Sequence, residues 1–160
     1  MALSDKHKNK ARRWIRVTMV FIAVLLLIFA VVVPIINNGI ALGVEKDLKA
    51  LPLPEKTELV ESISKAGKLT GNGNGMQYFG AILIKSDLSL EELVAYYQPY
   101  RAGQYDCLIA GQADNKILAV QHDDLAFRHS EYGDGYYIVY TWGSAPNWIR
   151  DWLDTDMRGH

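Results

Sequence analysis

The chain has 160 residues, 49% of them apolar, with 17 basic side chains, 18 acidic ones and a single cysteine. Once an anchor of roughly 40 residues is set aside, such a length holds one small domain with a core and is too short for two. The lone Cys107 excludes an intramolecular disulfide and a thiol-rich zinc site, and the formal net charge of −1 conceals two oppositely charged ends.

Residues 1–16 carry Lys6, Lys8, Lys10, Arg12, Arg13 and Arg16 against Asp5 alone, a net of +5, which leaves −6 on residues 17–160. A basic segment abutting an apolar run is a topology signal. The acidic remainder lacks the basic face that DNA or RNA phosphates require, so nucleic acid is not an expected partner. Residues 17–36 contain no charge, and Thr18 is their only clearly polar side chain. A helix over this stretch reaches about 30 Å, the thickness of a bilayer's hydrocarbon core, and shows none of the polar striping of a soluble helix. The predicted transmembrane helix is therefore 17–36. Pro34 falls in its last turn, Asn37, Asn38 and Gly39 are expected to supply the exit, and Trp14 falls where an interfacial ring belongs.

A cleaved secretory signal is the rival reading, with small-residue triplets at Gly39-Ile40-Ala41 and Ala41-Leu42-Gly43. Its apolar core is usually shorter, about 7–15 residues. With the basic segment 1–16 held inside the cell membrane, the N-terminus is cytoplasmic and the C-terminal domain extracytoplasmic. The lipid bilayer is then the first expected partner.

Residues 37–54 read as a juxtamembrane helix or linker. Leu42, Val44, Leu48 and Leu51 have helical spacing, and Leu51-Pro52-Leu53-Pro54 ends the helix because proline disfavours helix in the residue before it. The domain proper is placed at 55–160. Residues 57–66 and 76–85 read as strands. Between them Gly71-Asn72-Gly73-Asn74-Gly75 carries the Asn-Gly pairs that signal a hairpin. Gly80 marks a bulge or a close packing point. Ser89-Leu90-Glu91-Glu92 is a capping box, and Leu90, Leu93, Val94 and Tyr97 then share one helical face that ends near Pro99. Strand-like runs return at 105–110, less clearly at 117–121 and 125–128, and clearly at 135–142. Residues 144–153 predict a short terminal helix. The expected fold class is α+β: an N-terminal transmembrane helix, then one small domain with an antiparallel sheet and a helix packed on one face.

The order Leu53-Pro54-x-x-Thr57, the Gly71–Gly75 turn with Met76, Ser89-Leu90-Glu91-Glu92-Leu93 and Tyr96-Tyr97 resembles small membrane-anchored proteins of Gram-positive bacteria. More loosely it is similar to extracytoplasmic β-β-α modules. The likeness spans about residues 52–100 and rests on structural motifs. It implies a protein of the bacterial cell envelope and carries over no catalytic residue.

Chemistry is sparse. The Gly71–Gly75 stretch leads into a strand, so it reads as a turn and not as a phosphate loop, which would open a helix. His122, Asp123, Asp124, His129, Glu131 and Asp134 crowd together, and His122, Asp124 and His129 are candidate metal ligands. None of the usual metal-site spacings is present, so a solvated loop is the simpler reading, and no metal or other cofactor is expected. Asp151, Asp154 and Asp156 read as the soluble tail of a helix. Cys107, followed by Leu108, Ile109 and Ala110, reads as a small core residue. No nucleophile–base arrangement stands out, so no catalytic residue is assigned.

Tyr132, Tyr136, Tyr137, Tyr140, Trp142, Trp148 and Trp152 are concentrated near the C-terminus. In a strand, Tyr136, Ile138, Tyr140 and Trp142 share one face and Tyr137 and Val139 the other, as suits an inner strand. These rings are either core or an exposed surface, and Tyr132, Tyr136, Tyr137, Trp142, Trp148 and Trp152 are the candidates for a binding surface. The expected function is a non-enzymatic binding or accessory module for another envelope protein or a wall component. The alternative is a metal-dependent or thiol-based envelope enzyme.

Overall fold

The structure is a computed structural model that describes residues 5–160, with side chains from Asn9 onward; the basic side chains of Lys6 and Lys8 lie outside the described residues. The chain begins with one helix, α1 (Asp5–Lys49), of 45 residues. At the usual rise it is about 67 Å long. Its apolar stretch is long and apolar enough to cross a membrane and is almost entirely exposed.

The helix does not end where the sequence placed the exit. It runs without a break through Pro34, Asn37, Asn38 and Gly39. The reason is a stripe of buried positions, Val33, Asn37, Ala41, Val44 and Leu48, that crosses the expected boundary at helical spacing. Tertiary burial along this stripe outweighs one proline and three poor helix formers. The helix ends at Lys49, just before Pro52 and Pro54.

Strands β1 (Thr57–Gly67) and β2 (Gln77–Ser86) pair antiparallel, with a register shift between Leu59 and Glu61. Helix α2 (Leu90–Tyr97) follows, and the capping box forms as the sequence indicates: the Ser89 N–H donates to Glu92 Oε2 and the Glu92 N–H to Ser89 Oγ. Two short strands, β3 (Arg101–Ala102) and β4 (Tyr105–Asp106), pair with each other. Strand β5 (Leu108–Gly111), strand β6 (Tyr136–Ser144), helix α3 (Asn147–Leu153) and a 3-10 turn (Met157–Gly159) complete the chain. The main sheet has the order β1-β2-β6-β5. The fold is therefore α+β, an antiparallel four-stranded sheet with helix across one face.

The helix that covers most of that face is the C-terminal part of α1, with α2 beside it over β5. Gly80, in the middle of β2, is the point of closest approach: a Cβ there would lie 2.8 Å from Glu45 N and 2.9 Å from Val44 Cγ1. Of the two sequence readings for Gly80, close packing is the one realised; the register shift is in β1. Ser62 Oγ donates to Glu45 Oε1 at 2.6 Å, a polar tie across the same interface.

The opposite face is covered by the irregular segment 112–135. Ile117, Val120, Leu125 and Phe127 are buried there against Phe79, Ala81, Leu83 and Ile138. Residues 117–121 and 125–128 are not strands, and only one bridge, Lys116 to Ala126, joins them. Side chains satisfy the local backbone instead: Gln112 Nε2 donates to the carbonyls of Asp114 and Lys116, and Asp114 Oδ1 accepts from the Lys116 N–H. Apolar spacing reported burial correctly here, but a loop supplied it.

Candidate functional site

The sequence candidates divide by position. His122 Nε2 hydrogen-bonds to the Gly71 carbonyl at 2.7 Å, while His129 Nε2 lies 3.2 Å from the Tyr136 hydroxyl. Asp124 faces Lys116 across an exposed pair. Among the described residues no three His, Cys, Asp or Glu side chains gather in a metal-holding group. His129 packs instead with Tyr132 and Tyr136, the three ring centroids lying 5.2–5.3 Å apart. The main-chain N–H groups of Arg128 and His129 donate to Glu61, which fixes this cluster to β1. Cys107 is half-buried beside the α2 cluster, and burial pushes its thiol up.

The aromatic side chains separate likewise. Strand β6 is an inner strand with the face pattern expected from its sequence: Tyr136, Ile138 and Tyr140 meet the loop-covered core, and Tyr137 and Val139 meet the helical one. Tyr132, Tyr136 and Tyr137 are half-buried, and Trp152 packs against the cluster of Ala41, Val44 and Leu153. Trp142 and Trp148 are exposed, Trp148 at 82%.

Trp148 borders an apolar groove of about 380 Å³ between α1, the β3–β4 turn and α3. Ile40, Val44, Ala145 and Ile149 contribute apolar wall, and Asp47 is the one charged side chain in its lining. The sequence places Trp148 on the first turn of α3, where no side-chain cap holds the helix end. An exposed indole beside an apolar depression is the arrangement that interface hot spots use.

A second arrangement, unmarked in the sequence, joins α1 to the end of the chain. Asn37 is fully buried, and its Nδ2 donates to the Leu153 carbonyl and to Asp156 Oδ2. The Tyr78 hydroxyl donates to Asn37 Oδ1. Asp156 pairs with Arg158 at 2.6 Å, and Arg158 continues to Asn38 Oδ1 and the Pro34 carbonyl. Asp156 is 3% exposed and so is not part of a solvated tail, and Asp154 Oδ1 accepts from the Met76 N–H. The Arg158 hydrogen bonds, then that of Asn37, hold the Asp156 carboxyl down at about 2 against the cost of burial. Burial, followed by the nearby Asp154, pushes the Tyr78 hydroxyl well above its ordinary range. The carboxylate is therefore ionised and the phenol neutral at any ordinary pH, which suits a fixed structural joint and not a proton-transfer pair. The only advance signal was a polar Asn37 on an otherwise apolar stripe.

Comparison with protein-family models, with curated proteins and with solved structures finds no match.

Proposed function

We propose that this protein is a single-pass membrane-anchored module of the bacterial cell envelope, of the Gram-positive kind that its sequence resembles. In this reading the basic N-terminus is cytoplasmic and the α+β domain extracytoplasmic. It works as a non-enzymatic binding or accessory domain for another envelope protein. The charge step from a basic cluster to an apolar helix supports the orientation. The continuity of α1 into the core supports a domain seated close to the membrane, because the last turns of the apolar helix are also the helix that covers the sheet.

The observation that carries the binding role is Trp148, 82% exposed at the rim of an apolar groove. With Asp47 alone for charge, the groove suits a segment that combines an apolar side chain with a cation. The enzyme reading has less support: His122, Asp124 and His129 are engaged with different partners, and the Cys107 thiol is shifted away from reactivity.

The test is photo-crosslinking in intact cells from a photoreactive residue at position 148, with the exposed Glu91 as control position. One discrete protein adduct from 148 and none from 91 is expected. No adduct from 148, or the same products from both positions, would refute the binding role.

A further inference from the structure

The C-terminal turn, residues 155–159, lies against a part of α1 that the anchoring role places inside the bilayer. A groove of about 500 Å³ separates the two, with Leu26, Phe29, Ala30 and Pro34 on the helix side and the whole run from Thr155 to Arg158 on the other. Leu26, Phe29 and Ala30 all belong to the uncharged run 17–36. Leu26 lies eleven residues before Asn37, which is about 16 Å along the helix axis. The turn thus shares a groove with side chains of the uncharged run and reaches it from the level of the polar joint at Asn37.

Met157 is 87% exposed and stands at the edge of that groove, beside a helical stretch whose apolar side chains are themselves exposed. Several polar groups of its neighbours are paired within the protein, as a place in hydrocarbon favours. The Arg158 carbonyl accepts from the Lys68 N–H, and the Gly159 carbonyl from the Gly75 N–H. The Arg158 N–H and the Asp156 carboxylate are joined, and the guanidinium donates to Asn38 Oδ1 and to the Pro34 carbonyl.

We propose that the 155–159 turn is dipped into the outer leaflet, with Met157 in the hydrocarbon and lipid acyl chains filling the groove between it and α1. This rests on the membrane-anchoring reading above and extends it: the domain touches the bilayer at two places, so it cannot swivel about its anchor.

The test uses the full chain in phospholipid nanodiscs, with Cys107→Ser and a single nitroxide-labelled cysteine at Met157, at Leu27 or at Glu91. Collision with molecular oxygen and with a neutral nickel chelate reads depth. The oxygen-to-nickel ratio at 157 is expected to exceed that at 91 several-fold and to approach that at 27. A ratio at 157 equal to that at 91, with 27 still oxygen-rich, overturns the inference and leaves the anchor standing. Water-like ratios at both 27 and 157 overturn the anchor itself.

Discussion

The Tyr78 hydroxyl donates a 2.8 Å hydrogen bond to Asn37 Oδ1, joining an inner strand to the C-terminal third of α1 across 41 residues of sequence. Both side chains are fully buried, and Asn37 spends its two donors on Leu153 and Asp156. The amide is satisfied at each end, so removing it leaves the Tyr78 hydroxyl without its partner and takes one bond each from the Leu153 carbonyl and the Asp156 carboxylate. Asn37→Leu is expected to cost about 3 kcal/mol and Tyr78→Phe about 1–2 kcal/mol, since a buried group left without its partner loses its full desolvation cost. Denaturant unfolding of the detergent-solubilised chain measures both. The double variant should be less destabilised than the sum of the two, and strict additivity would show that the contact is not coupled.

Stability should fall in acid through Asp156. Its carboxyl titrates at about 2 in the folded protein against an ordinary 3.8. A depressed folded-state value contributes stability above the unfolded value and loses it as pH drops through the folded one. The contribution, about 2 kcal/mol from a shift of that size, is complete above about pH 5 and fades toward pH 2. Asp156→Asn should flatten that part of the pH–stability profile. An unchanged profile would mean that the pair with Arg158 does not hold in solution.

The fold was legible in the sequence wherever local chemistry decides the outcome. The Ser89–Glu92 capping box, the β1 and β2 runs and the alternation on β6 each appear as expected, because capping and period-two patterning are written within a few residues. What sequence periodicity misread is long-range. Val33, Asn37, Ala41, Val44 and Leu48 lie on one helical stripe, but its meaning depends on a sheet formed by later residues. The hairpin link was placed within a residue, 68–76 against an expected 67–75, but what holds it was not visible: Gln77 Oε1 accepts from the Leu69 and Thr70 N–H groups, and the C-terminal turn takes Lys68 and Gly75. The Asp156–Arg158 joint left no local signature, since three of its partners, Pro34, Asn37 and Asn38, lie more than a hundred residues away.

Gly80 offers a direct probe of the helix–sheet contact. A methyl group there would meet Glu45 N at 2.8 Å, a backbone atom that cannot rotate away. Gly80→Ala is expected to destabilise the chain by about 1–3 kcal/mol, as overpacking does in tight interfaces. The same change at Gly111, where a Cβ would meet nothing within 4 Å, should stay within about 0.5 kcal/mol. Equal effects at the two positions would show that α1 does not press on β2 as described.

The thiol is the last point at which an enzymatic role can be tested. Cys107 is half-buried, and desolvation raises its titration above the ordinary value, with Asp106 adding in the same direction. Only the thiolate attacks a disulfide reagent, so at pH 7 Cys107 should react more slowly than an exposed thiol. Leu118, 81% exposed, provides the comparison as Leu118→Cys in a Cys107→Ser background. Raising the pH should speed Cys107 over a range displaced upward from that of the reference thiol. If Cys107 reacted faster than position 118 at pH 7, the site would be activated by something other than its static surroundings, and a thiol-dependent activity would become the better reading of this domain.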